Sequence, residues 1–143
     1  MTIFELYENV RNISIEGITY DIVVSSDDRI VEIQKDQMTS GKDSTGEGIA
    51  PSYYSDAYAE MKQKMNRRPE FGTPDLRLTG AFYDGFYLDF NKLVVSSTDE
   101  KADLLKKKYG NWIFGLSEES VSRYLEYFNP KFMEEFLAQL SDE

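Results

Sequence analysis

Along most of this chain apolar residues recur with a period near 3.6, and in one short stretch the period drops to two. In Phe86-Tyr-Leu-Asp-Phe90 the apolar Phe86, Leu88 and Phe90 alternate with Tyr87 and Asp89, the pattern of a half-buried strand. Asn91-Lys92 is a turn signal, because Asn tolerates the left-handed backbone of a tight hairpin, and Leu93-Val94-Val95 returns with residues suited to a pleated surface. The prediction is a β-hairpin over 86–97. Ahead of it, Gly80 and Gly85 bracket Ala81–Asp84, which is long enough only for a turn of helix or a bent entry into the strand. A lone hairpin is marginal in water, so helices must cover it, and the predicted fold class is α+β.

The helical stretches follow from the longer period. Ile3, Phe4, Leu6, Tyr7 and Val10 predict a short helix over 2–12 with Thr2 as its N-cap, and Ile13–Gly17 is either its fraying end or a short strand. Ile18, Ile22, Ile30, Ile33 and Met38 form one stripe, interrupted by Ser25-Ser-Asp-Asp28; one long helix or two abutting helices both fit. Loops rich in Gly and Pro are expected over 40–52 and 66–75. Between them Tyr54, Tyr58, Met61 and Met65 share a helical face, with Lys62, Lys64, Arg67 and Arg68 towards its carboxyl end. After the hairpin, Ser97 and Glu100 match a capping box for a helix reaching Tyr109 and ended by Gly110. Trp112 and Phe114 are expected to anchor the packing of the last helices. Ser117 caps a helix bearing Val121, Tyr124, Leu125 and Phe128, and Asn129-Pro130 is read as the restart of another bearing Phe132, Phe136, Leu137 and Leu140.

The length of 143 residues suits one domain, 1–143, with Phe86, Leu88, Phe90, Trp112 and Phe114 as its expected core. Ten Tyr, nine Phe and one Trp make that core aromatic, and Tyr also favours interfaces. A net charge of −10 argues against a surface built to grip phosphate backbones. The chain has neither His nor Cys, which removes disulfides, thiolate chemistry and the usual transition-metal ligand sets. No cofactor is called for. No apolar run approaches the roughly 18 residues of a membrane span, and the first residues do not read as a signal peptide, so the chain reads as soluble and unsecreted.

Few patterns point to chemistry. With Asp43 as the first position of a calcium loop, Gly48 falls at the sixth, but Tyr54 stands at the twelfth, where the ion needs a bidentate Glu. The glycines of that loop lead to no Gly-Lys-Ser/Thr phosphate cradle. The basic cluster at 62–68 reads first as a solvated helix end. Asp84 with Asp89, or Glu118 with Glu119, could be nominated as acid and base, but 26 acidic residues produce such pairs by chance. No nucleophile with its base is legible, so the chain reads as non-catalytic. Binding is a better fit for the loops, which carry Tyr53, Arg67, Arg68 and Phe71 as expected subunit-interface residues.

Leu78-Thr-Gly-Ala-Phe82 ahead of the hairpin, Val95-Ser-Ser97, Lys101–Gly110 and Ile113-Phe-Gly-Leu-Ser-Glu-Glu119 together resemble the phage neck and tail-completion proteins of the virion-morphogenesis type. Gln37-Met-Thr-Ser-Gly41, Asp43, Gly46, Tyr54-Ser55, Tyr58 and Lys62 further resemble uncharacterised virion proteins of phages of gut bacteria, with the crAss-like phages as the suggested group. The likeness covers about Gln37 to Phe128; Asn111-Trp112-Ile113 stands where many tail-completion proteins carry an Ala-Arg pair. It implies a structural protein of the head-to-tail junction, made in the host cytoplasm and built into the virion as a six- or twelvefold ring. Its partners would be portal, adaptor and tail proteins, with genomic DNA passing through unbound and no membrane contact. An acidic channel wall would repel that DNA within the Debye length. The alternative is a monomeric acidic protein that mimics DNA or blocks a basic host factor.

Overall fold

The computed structural model describes residues 1–49, 60, 61, 64, 76 and 81–141. Its architecture is α+β. The named elements are helices α1 (Ile3–Asn12), α2 (Ile15–Ser25) and α3 (Asp27–Thr39) and, further along the chain, a single helical turn α4 (Ala81–Asp84). The strands β1 (Phe86–Asp89) and β2 (Val94–Ser97) come next, then α5 (Ala102–Tyr109), a 3₁₀ turn (Asn111–Ile113) and the long α6 (Glu118–Ser141). Glu60, Met61 and Lys64 are helical. The rest of the helix predicted near 52–66, and the loop 66–75, lie outside the described residues.

The first helices start where side chains satisfy their orphan amides. Thr2 and Glu5 form a reciprocal capping box, and Ser14 Oγ accepts from the Gly17 amide at 3.0 Å, so Ile15–Gly17 opens α2 rather than fraying from α1. The stripe from Ile18 to Met38 divides at Ser26, whose hydroxyl donates to the Ile22 carbonyl at 2.6 Å and whose backbone leaves the helical region at ψ 25°. Two abutting helices result.

The hairpin pairs β1 with β2 antiparallel, Leu88 opposite Val95 and Phe86 opposite Ser97, and the buried side chains face α3. Its turn is longer than predicted. Asp89 ends the strand because its carboxylate accepts from the Asn91 and Lys92 amides at 2.9 and 3.2 Å, and Leu93, not Asn91, takes the left-handed backbone at φ 55°. Phe90 therefore leaves the pleat and is 43% exposed, so its expected place in the core is corrected.

Two further expectations are corrected. Ser97 does not cap the helix after it: its hydroxyl donates to the Phe82 carbonyl at 2.9 Å and accepts from the Asp99 amide at 3.1 Å, and α5 starts only at Ala102. The helix does not restart at Asn129-Pro130 either, since α6 runs unbroken through Pro130. Phe128, Phe132 and Phe136 sit four residues apart and their rings follow one another at 5.7 and 6.1 Å, so the stripe carries the helix across an exposed proline.

The core lies between α3, the hairpin, α5, the 3₁₀ turn and the first half of α6. Phe82, Phe86 and Phe114 form its aromatic centre, with ring centroids 5.1 to 5.7 Å apart. Ile113 is wholly buried while its neighbour Trp112 is 60% exposed, so the anchor expected at Trp112 belongs to Ile113.

Candidate functional site

A pair of buried amides fixes the segment after α5. Gln34 and Gln37 lie three apart on α3 and so project from one face. Gln34 accepts from the Gly115 amide at 2.9 Å and donates to the Ile113 carbonyl at 3.4 Å. Gln37 accepts from the Ser117 amide at 2.8 Å and donates to the Gly115 carbonyl at 2.9 Å. Each side-chain amide thus offers the extended backbone the donor and acceptor that a neighbouring strand would provide. Opposite them, the Ser44 amide donates to the Trp112 carbonyl at 2.7 Å. Sequence reasoning missed both glutamines, although the signal was present: Gln34 and Gln37 occupy the i+4 and i+7 positions of the stripe that starts at Ile30.

What this clamp holds in place is an exposed tryptophan. Gly110 has φ 92°, and a Cβ there would stand 2.4 Å from Trp112 Nε1, so the indole lies directly against the glycine backbone. Lys106 and Lys107 line the same shallow surface with Trp112, and Asp103 is the carboxylate beside them. The Lys106 ammonium is 5.3 Å from the centre of the Phe114 ring. A chain of net charge −10 therefore presents an exposed aromatic side chain, laid against the Gly110 backbone, beside two lysines.

The opposite character prevails on the helical side. Asp28, Glu32 and Asp36 recur every four residues along α3 and share one exposed stripe. Beside it runs a groove of about 770 Å³ between α3 and α6, with Ile33 and Tyr127 in its wall and Asp28, Glu32 and Glu126 among its carboxylates. Its two arginines are engaged within the chain: Arg29 stacks on the Tyr127 ring at 4.1 Å, and Arg123 donates to Asp36 at 2.7 Å. Below the groove the Tyr124 hydroxyl meets Ser26 Oγ at 2.7 Å, buried. Burial pushes the Tyr124 phenol above its ordinary 10.0, while the Ser26 hydroxyl and the Arg29 charge pull the other way.

The residues expected at an interface, Tyr53, Arg67, Arg68 and Phe71, lie outside the described residues. Of the expected core, Phe86, Leu88 and Phe114 come together, and Phe90 and Trp112 do not. Of the nominated carboxylates, Asp89 holds the hairpin turn, and the exposed Glu119 lies 3.7 Å from Lys42. Asp43 of the tested calcium loop gives an oxygen to the Thr45 amide at 2.8 Å, and its own amide donates to the Glu47 carbonyl at 2.9 Å. Among the described residues no three acids gather where a metal could sit, and no helix is long and apolar enough to cross a membrane. No family model matches the chain, and neither does any curated protein or solved structure.

Proposed function

We propose that this chain is a non-catalytic structural component of a phage virion, a ring or tail-completion protein of the head-to-tail junction. The observation that carries the reading to assembly is α1. This helix is fully capped, yet it buries none of its residues; Ile3 and Phe4 are 82% and 71% exposed, and Tyr7 is exposed beside them. An amphipathic helix gains most of its stability from packing its apolar face, so a formed helix with that face open suits a chain whose neighbours in an assembly complete it. The identity of the assembly rests on the resemblance of the segments around Gln37–Gly41 and Ile113–Glu119 to virion proteins. On this reading portal, adaptor and tail proteins are the neighbours, and the acidic surface that no neighbour covers faces outgoing DNA without binding it.

Antibody labelling of isolated particles tests the reading, with negative-stain images to locate the label. The expected result is label confined to the neck, at several copies per particle. A chain absent from particles and monomeric in solution, but held by a basic host protein, would replace this reading with that of an acidic inhibitor.

A further inference from the structure

Charge is unevenly shared along this fold. Residues 1–49 hold ten acids (Glu5, Glu8, Glu16, Asp21, Asp27, Asp28, Glu32, Asp36, Asp43, Glu47) against four bases (Arg11, Arg29, Lys35, Lys42), a balance of −6. In α5 the balance reverses, with Lys106, Lys107 and Lys108 against Asp103. The positive patch is built around Trp112, whose backbone is tied down by Ser44 and whose indole is set by Gly110. A large aromatic side chain laid against its own backbone has less freedom left to lose on binding, which suits an interface anchor.

We infer that Trp112 and Lys107 of one copy dock into the acidic groove between α3 and α6 of a second copy of this chain, a head-to-tail contact that repeats. The inference names a contact for the assembly proposed above and rests on that reading. Charge decides the occupant and the geometry. A symmetric pairing of two Trp112 patches would set lysines against lysines, whereas the unlike patches of two copies set lysines against carboxylates at the contact even though each copy carries −10 overall. The acidic stripe of another copy offers Asp28 and Glu32 to the lysines, and the Arg29 guanidinium stacked on Tyr127 in the groove wall gives the indole a planar surface to lie against. Because knob and groove are different surfaces, each copy keeps one of each, and such heterologous contacts close into rings when the rotation permits.

Trp112 is the only tryptophan in the chain, so its fluorescence reports this contact directly. Sedimentation and emission spectra are measured together over a concentration series of the full chain. The expected result is a rise in mass accompanied by a shift of emission to shorter wavelength as the indole leaves water. Lys107→Glu alone and Asp28→Lys alone should each weaken self-association by at least about tenfold, with circular dichroism unchanged, and an equimolar mixture of the two variants should associate again through the repaired contact. Association without an emission shift would overturn this contact and leave the assembly reading standing. A chain that stays monomeric throughout also overturns the contact; its presence in or absence from isolated particles then judges the assembly reading separately. Quenching of Trp112 by single-stranded oligothymidylate, with no self-association, would assign the patch to nucleic acid and overturn the proposal.

Discussion

Ser26 Oγ and the Tyr124 hydroxyl lie 2.7 Å apart in the interior, joining the break between α2 and α3 to the first third of α6. Either hydroxyl can donate in this bond, and Ser26 Oγ also stands 2.6 Å from the Ile22 carbonyl. Tyr124→Phe removes that bond and should cost about 0.5–1.5 kcal/mol in urea unfolding at neutral pH. The pH dependence has a definite sign. The folded phenol titrates above 10.0, so below 10.0 both states keep the proton and stability is unaffected. Above it the unfolded chain releases its proton first, and stability falls as pH rises through the folded value. Wild-type and Tyr124→Phe stabilities should therefore converge in that alkaline window; a gap that widens there contradicts the assignment.

Gln37 is expected to matter more than its polarity suggests. Gln37→Leu keeps much of the volume but leaves the Ser117 amide and the Gly115 carbonyl without partners, at about 1–3 kcal/mol for each orphaned group. Hydrogen exchange at the Ser117 amide is the direct measure, and it should accelerate in the variant even under conditions where the rest of α6 stays protected.

Leu88 and Phe90 look equivalent in the sequence pattern and differ in the structure. Leu88 is 5% exposed opposite Val95, so Leu88→Ala should cost about 2–5 kcal/mol. Phe90 stands in the turn, and Phe90→Ala should shift stability by no more than about 0.5 kcal/mol. Equal losses in thermal unfolding would place Phe90 back in the core.

That pair shows where the sequence was legible. Periodicity located the hairpin and the helical stretches of α1, α2, α3 and α6, because an apolar spacing is written in the residues whether or not the face is buried, but it did not decide that 18–39 is two helices or that 118–141 is one. Local competition was harder to read. Asp89 could continue the strand or fold back on the turn amides, and only the second choice moves Phe90 out. Ser97 could cap a helix or bond to Phe82, a contact across 15 residues that no local pattern contains. Trp112-Ile-Phe114 is apolar throughout, so composition alone could not say that Ile113 enters the core and Trp112 stays outside. The choice is made by Gln34 and Gln37, about 80 residues away in the chain.

Pro130 interrupts no helix, but it still removes an amide that would donate to the Glu126 carbonyl. A proline in a helix interior costs about 3 kcal/mol relative to Ala, offset by about 1 kcal/mol because it also restricts the unfolded chain. Pro130→Ala should therefore raise stability by about 2 kcal/mol in a denaturant titration. A loss instead would mean that the proline is needed to set the course of the second half of α6 along α2.

Gly110 and Trp112 provide the strictest test of how the exposed indole is held. At φ 92° and ψ 162° the glycine occupies backbone space that residues with a Cβ enter only at a cost of about 1–3 kcal/mol. Gly110→Ala adds a second penalty, because the new methyl would sit 2.4 Å from Nε1 and the ring must swing away. Trp112→Ala by itself should cost little, since the side chain is mostly in water. In the double variant the backbone strain remains and the collision is gone, so the combined loss should be smaller than the sum of the single losses. The size of that shortfall measures how firmly the indole rests on Gly110. In Gly110→Ala the emission and anisotropy of the one tryptophan should change even in the monomer, as a side chain fixed by its own backbone is released. Strict additivity, with an unchanged spectrum, would mean that the ring is held by something other than the glycine beneath it.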